Sequence, residues 1–238
     1  NKPGALFFVE RIMPLPQIVR DNLIRSFFPA DKQAAALAAP TNKDCMIRPY
    51  LGHQWSELDK SIERPSVETL RNFPLYIDQA HEIGMNVKQI AMDMAMGLAT
   101  AHWAAGIDML DAEFVIASRP TRTMTKAVAD MPKERASVHG LKLPNGVPPA
   151  LFSNLDFRNR AVQLWMLDFD KAKKIEFGWI NADDTAEVIN KVQTLLDRTL
   201  SNDPYYPKAM PDNKADYDVW LAFASTYILA SDIIFQKK

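Results

Sequence analysis

One cysteine, Cys45, stands in 238 residues. It has no internal partner, so an intramolecular disulfide is excluded, and neither CxxC nor CxxC…HxxxH spacing exists for structural zinc. Such thiol usage points to a reducing compartment. No apolar run reaches the roughly 18 residues a membrane helix needs, and no secretory signal is visible. The expectation is a soluble cytoplasmic protein with no membrane partner. Net charge is nearly absent too, at -1, which neither demands nor excludes nucleic acid, because local patches steer ligands. Internal repeats and low-complexity tracts are missing. The chain opens at Asn1 and not at methionine, so it is expected to be processed, truncated or preceded by a further segment. What remains is 47% hydrophobic residues, enough to bury the core of one ordinary domain or one and a half.

Charge is concentrated where it is least expected. Residues Ala101 to Ala117 read AHWAAGIDMLDAEFVIA. Three carboxylates, Asp108, Asp111 and Glu113, fall within six positions and run straight into apolar Phe114, Val115 and Ile116. Acids crowded between a helix and a strand repel one another unless a cation or substrate holds them. A second stretch, LWMLDFD from Leu164 to Asp170, ends another apolar run in Asp168 and Asp170. The two acidic loops are expected to face one cleft. The plainer alternative is that they cap turns and pair with nearby Lys and Arg.

In order along the chain, LFFVERIM (Leu6 to Met13) is β-prone and stops against Pro14 and Pro16. Gln17 to Phe28 carries Ile18, Leu23, Ile24 and Phe27 at helical spacing, with Pro29 ending it. Alanine-rich Asp31 to Ala39 extends a second short helix. NKDCMIRPYL has β character in its middle, and a flexible connection follows from His53 to Pro65. Ser66 in SVETL is a capping signal ahead of LRNFPLYIDQAHEIG. Asn86 caps a long helix from Val87 to Ala105, closed by Gly106. Met92, Met94 and Met96 on it read as core filler. Arg119 to Pro149 reads as an exposed insertion, and Val162 to Leu167 as a buried strand. Asp183 or Asp184 caps a helix from Thr185 to about Leu200, stopped by Asn202, Asp203 and Pro204. A last helix, Asp216 to Phe235, presents Trp220, Phe223, Tyr227 and Ile228 as its buried stripe. The fold class is α+β, predominantly helical.

The order of long helix, acidic loop, short strand and a strand ending in DFD resembles the carboxy-terminal lobe of protein kinases. GIDMLDAEFV resembles the kinase catalytic loop, with Asp108 at the catalytic aspartate, Glu113 at the metal-binding asparagine and Asp168 at the DFG aspartate. Gly106 and Ile107 replace His and Arg, Asp170 replaces the DFG glycine, and neither a GxGxxG loop nor a VAIK-type lysine lies upstream. A working protein kinase is not expected. The blocks VERIMPLP, NKDCMIRPYLG, LRNFPLYIDQ, HWAAGIDMLDAEFV, LWMLDFD and NDPYYP more closely resemble a fungal family of kinase-like proteins that carries a zinc-finger name and no known function. That resemblance implies a kinase-like carboxy-terminal lobe with a reduced small lobe: residues 1–65 as remnant small lobe and hinge, and residues 66–238 as the helical large lobe, with an exposed insertion at about 119–149.

Within or near this family are fungal arginine-containing cyclodipeptide synthases, and the resemblance implies their chemistry here. Two aminoacyl-tRNAs, one charged with arginine, would be joined by two successive aminolyses into a cyclo-Arg-Xaa diketopiperazine. An aminoacyl ester is already activated, so no cofactor and no metal is expected. The implied catalytic residues are Glu113 as base, with Asp108 and Asp168. Asp108 and Asp111 would clamp the guanidinium, which carboxylates hold in bidentate fashion. Asp170, His102, Arg71 and Asn72 are further candidates for the substrate pocket. Transfer RNA needs a basic surface, and Arg119, Arg122, Lys126, Lys133, Arg135, Lys171, Lys173 and Lys174 are its candidates; DNA is not an expected partner. Cys45 reads as buried and not nucleophilic, His102 and Trp103 read more readily as a core pair than as a dyad, and Tyr205 and Tyr206 as packing. The alternative functions are a kinase-like phosphotransferase and a non-catalytic pseudokinase scaffold.

Overall fold

The computed structural model describes residues 12–57, 69–120, 160–175, 185–200 and 203–237. The strand proposed at Leu6 to Met13, apart from Ile12 and Met13, the Ser66 cap, the Asp183 or Asp184 cap, and all but Arg119 and Pro120 of the proposed insertion lie outside these residues; Met13 bridges to Ser118.

Helix α1 (Gln17–Phe27) follows Pro16 directly, and proline tolerates this place because a helix's first N–H groups are unpaired anyway. Its buried residues are Leu23 and Ile24. Ile18 is 72% exposed, contrary to the expected stripe; at about 100° per residue it sits opposite that pair. Helix α2 (Ala30–Ala38) and a 3-10 turn (Pro40–Lys43) lead to strand β1 (Ile47–Tyr50). The sequence LRNFPLYIDQ divides into strand β2 (Phe73–Tyr76) and helix α3 (Ile77–Glu82). The junction is fixed by the Gln79 side chain, which accepts a hydrogen bond from the Tyr76 N–H at 3.2 Å.

Helix α4 (Val87–Ala99) starts as its sequence demands: the Asn86 side chain accepts from the Gln89 N–H at 3.2 Å. Met94 is fully buried, whereas Met96 is 44% exposed and so is not core filler. From Thr100 to Ala105 the helix widens into a π-helical turn, and Gly106, at φ 69°, ends it in the left-handed region. Strands β3 (Ile107–Asp108), β4 (Glu113–Pro120), β5 (Arg160–Leu167) and β6 (Lys173–Lys174) follow, then helices α5 (Thr185–Leu200) and α6 (Lys214–Gln236).

The architecture is mixed α/β, mostly helical with a small mixed sheet. The main sheet has the order β2-β1-β4-β5, with β1 parallel to β2 and antiparallel to β4, and β4 antiparallel to β5. Between β1 and β4 the register is Ile47↔Ile116; two residues on, Pro49 has no N–H to give. β3 and β6 make a separate two-stranded ladder. Strand β5 stands at the end of the described sheet order, so Val162 to Leu167 is half-buried and Val162 is 47% exposed, not the fully buried strand the apolar run implied.

The core fills the space between the sheet and the α4 and α6 pair, with Phe114, Met94, Leu98, Tyr206 and Phe223 among its members. Helix α6 buries Val219, Phe223 and Tyr227 at four-residue spacing; Trp220 is half-buried and Ile228 is 68% exposed, which corrects the expected stripe. By length and composition α6 is also apolar enough to cross a membrane; here its buried face packs against α4.

Candidate functional site

Three stretches far apart in the chain meet at one end of the sheet. Arg48 and Tyr50 alternate along β1 and so share a face. Leu110 to Glu113 form the turn between β3 and β4. Asp203, Pro204 and Tyr205 link α5 to α6. Together they line a cavity of about 370 Å³.

The third stretch is held by backbone. The N–H of Leu51 donates to the Tyr205 carbonyl at 3.2 Å, and that of Gly52 to the Pro204 carbonyl at 2.9 Å. A side chain at position 52 would not fit, because its Cβ would lie 2.5 Å from the Tyr206 carbonyl oxygen. Gly52 therefore permits the close approach that brings Asp203 to the cavity.

The turn wall is bent tightly. Asp108 is 6% exposed, and its Oδ1 accepts from the Leu110 N–H at 3.2 Å, an Asx turn. Leu110 itself has φ 46°, left-handed backbone that costs a non-glycine residue on the order of 1 to 2 kcal/mol. Glu113 Oε2 accepts from Arg48 at 2.7 Å, and both side chains are about a quarter exposed. Asp111 pairs with Lys171 on the open side, where solvent screens the attraction and little stability results.

Asp203 differs from its neighbours. Its Oδ1 accepts from the Tyr205 N–H at 2.8 Å, and among the described residues no cation pairs with it. Burial pushes its carboxyl up to about 6; the Tyr205 N–H and Lys208 oppose this, and Asp111 adds to it. Beside it, Tyr205 is 5% exposed and its hydroxyl has no hydrogen-bond partner among the described residues. The phenol is held far above its ordinary value by burial first, and it feels Tyr50, Arg48, Glu113 and Asp203. All four belong to the cavity wall, but the hydroxyl oxygen itself is buried and does not open onto that space. An unpaired buried hydroxyl is costly.

The two acidic loops do come side by side, because the β4 and β5 register puts Glu113 opposite Leu167, one residue before Asp168. Asp168 and Asp170 are exposed, however, and act with Asp111 on Lys171 at the surface; neither lines the cavity. Asp168 has φ 62°. Asp108 lies behind the turn. Arg71 and Asn72 are exposed on the turn before β2, Asn72 with φ 52°, and stand outside the cavity wall.

His102 is fully buried. Its Nδ1 sits 2.9 Å from the Tyr227 hydroxyl, and its ring packs edge-on against Trp103 and Tyr227. Burial lowers its pKa to about 4 against the pull of Asp108, so the ring is neutral at pH 7. Burial likewise raises the Cys45 thiol to about 12, which leaves it protonated and inert.

Of the basic candidates, Lys173 and Lys174 are exposed on β6, where Lys173 pairs in register with Asp108. Arg119 lies six residues along β4 from Glu113, roughly 20 Å away at the strand rise. Arg122, Lys126, Lys133 and Arg135 lie outside the described residues. Sequence reasoning passed over Arg48, Tyr50 and Asp203. The only local signal for Asp203 was its place in an Asp-Pro-Tyr-Tyr run, which reads as a helix stop.

A family model described as "Zinc finger protein", a domain of unknown function, matches residues 164–238, about a third of the chain. The matched stretch contains neither cysteine nor histidine, the residue types that make a zinc finger. It includes Asp203 and Tyr205 but not β1 or the β3 and β4 turn. No curated protein and no solved structure matches this chain.

Proposed function

We propose that the cavity receives an amino-acid group bearing positive charge, and that the chain is an aminoacyl-tRNA-dependent cyclodipeptide synthase making cyclo-Arg-Xaa products on a kinase-like scaffold. The observation that carries this reading is the wall itself: Asp111, Glu113 and Asp203 around one space, Asp203 with no cation paired to it among the described residues. Carboxylates suit a guanidinium or ammonium guest. The volume accommodates one amino-acid side chain with its α-amine and ester.

In the reaction, the α-amine of one aminoacyl group attacks the ester carbonyl of the other. A C–N bond forms, the ester C–O bond breaks, and the proton leaving nitrogen ends on the released ribose oxygen. The dipeptidyl ester then cyclises in the same manner. Lys171, Lys173 and Lys174, exposed at the mouth of the β3 and β6 ladder, are the described residues that would meet tRNA phosphates. The kinase-like element of the proposal rests on the order of α4, acidic turn, β4 and the β5 end in Asp168.

The test is to incubate the protein with arginyl-tRNA and mixed aminoacyl-tRNAs and seek cyclo-Arg-Xaa by mass spectrometry. A product dependent on both tRNAs supports the reading. Its absence, together with a rise in melting temperature on adding ATP and magnesium, would replace it with a phosphotransferase.

A further inference from the structure

Strand β5 is last in the described order of the main sheet, and the phase of the hydrogen bonds across β4 fixes which of its backbone groups are left over. The N–H groups of Met13 and Ser118 each donate to the other's carbonyl, at 3.0 and 2.8 Å. Ser118 also stands opposite Val162 of β5, so both of its backbone groups are spent on the side away from β5. Backbone groups alternate sides along a strand. Val115 and Ala117 therefore bond to β5, where the register gives them Trp165 and Gln163. The N–H and C=O groups of Val162, Leu164 and Met166 point outward, and among the described residues no strand pairs with them.

Nothing in the residue types protects this edge. Strands that stay free carry a charge, a proline or a bulge. From Ala161 to Leu167 β5 has neither a charged residue nor a proline, its register with β4 runs unbroken, and Val162 is 47% exposed. The strand also matches itself. Set antiparallel about a twofold axis at Leu164, two copies place Leu164 against Leu164 and Val162 against Met166, so each outward N–H meets a carbonyl. The same register sets Arg160 of each copy against Asp168 of the other, opposite charges at both ends. We propose that β5 is the edge at which two copies of this chain join, antiparallel, fusing their four-stranded sheets into one. A second copy is the partner because β5 supplies both the backbone spacing and the opposite charges that its own edge requires.

Sedimentation velocity of the full chain, from micromolar to submillimolar concentration, tests the assignment. Wild type is expected to pass from monomer to dimer. Val162→Lys, a charge at a half-exposed edge position, should weaken the dimer roughly tenfold or more. Arg160→Glu should weaken it several-fold by setting like charges against each other, and adding Asp168→Lys should restore it. Amide exchange followed by NMR should show Val162, Leu164 and Met166 slowing as concentration rises, while Gln163 and Trp165, already bonded to β4, stay unchanged. A monomer at every concentration overturns the proposal: slow exchange at the three amides would then mean that the chain covers its own edge, and fast exchange that the edge is left to a foreign strand. A dimer indifferent to both Val162→Lys and Arg160→Glu overturns it as well, since its interface lies elsewhere.

Discussion

The cavity at the end of β1 and the cluster around His102 both place titratable groups out of water, and they resolve the cost in opposite ways. Beneath the π-helical turn, His102 is fully enclosed, neutral and hydrogen-bonded to Tyr227, with Trp103 against its ring. In the cavity wall Asp203 is half-buried beside open volume, with a phenol hydroxyl left unpaired. The first is closed to solvent, although His102 Nε2 has no hydrogen-bond partner among the described residues. The second borders open volume, and enclosure against an open cavity separates the two regions better than residue type does.

The largest effect should come from emptying the enclosed cluster. His102→Ala removes a packed ring and one hydrogen-bond partner of the Tyr227 hydroxyl, so urea unfolding at pH 7 should show a loss of about 3 kcal/mol. Gly52→Ala should follow, at about 1 to 3 kcal/mol, because its Cβ would strike the Tyr206 carbonyl; a melting curve reads this directly. A loss below a few tenths of a kcal/mol would mean that the Asp203 segment does not lie where described.

The pH dependences of the two regions have opposite sign. His102, lowered to about 4 from 6.5, contributes stability that is full above pH 6.5 and lost as pH falls toward 4. Asp203, raised to about 6 from 3.8, contributes stability that is full below about 4 and lost as pH rises through 6. Asp203→Asn should therefore gain about 3 kcal/mol over wild type at pH 8 and only a few tenths of that at pH 4. His102→Gln should leave a protein whose stability falls between pH 4 and 6, the slope of Asp203 alone. Chemical unfolding at several pH values checks both. The smallest effect separates two tyrosines: Tyr227→Phe should cost about 1 kcal/mol, while Tyr205→Phe should gain up to about 1 kcal/mol, since its buried hydroxyl has no partner to lose among the described residues.

The helices were legible where local chemistry fixes them. Asn86 and Gly106 bracket α4 and its π-helical extension, and the Pro16 boundary and the Thr185 to Leu200 pattern place α1 and α5. Short elements were not. FPLY became a strand and IDQAHE a helix because a Gln79 side-chain bond and pairing with β1 decide the junction, and neither is visible as periodicity. Exposure of Ile18, Met96 and Ile228 depends on which face a helix offers its neighbours. The acidic turn was legible as charge out of place, but its partner was not. Asp203 reaches the cavity through backbone bonds from Leu51 and Gly52, residues about 150 positions earlier, and the local pattern of either stretch carries no trace of the other.

The central claim is that the space between Arg48, Glu113 and Asp203 is a seat for a positively charged amino-acid group. Proton–nitrogen NMR of the labelled chain at pH 7 during addition of L-arginine ethyl ester, an uncleaved relative of the aminoacyl ester, tests it most directly. The account predicts saturable shifts confined to the amides of Asp111, Ala112, Glu113 and Tyr205, with His102 and its neighbours unmoved. Shifts centred elsewhere, or none at millimolar ester, would contradict it.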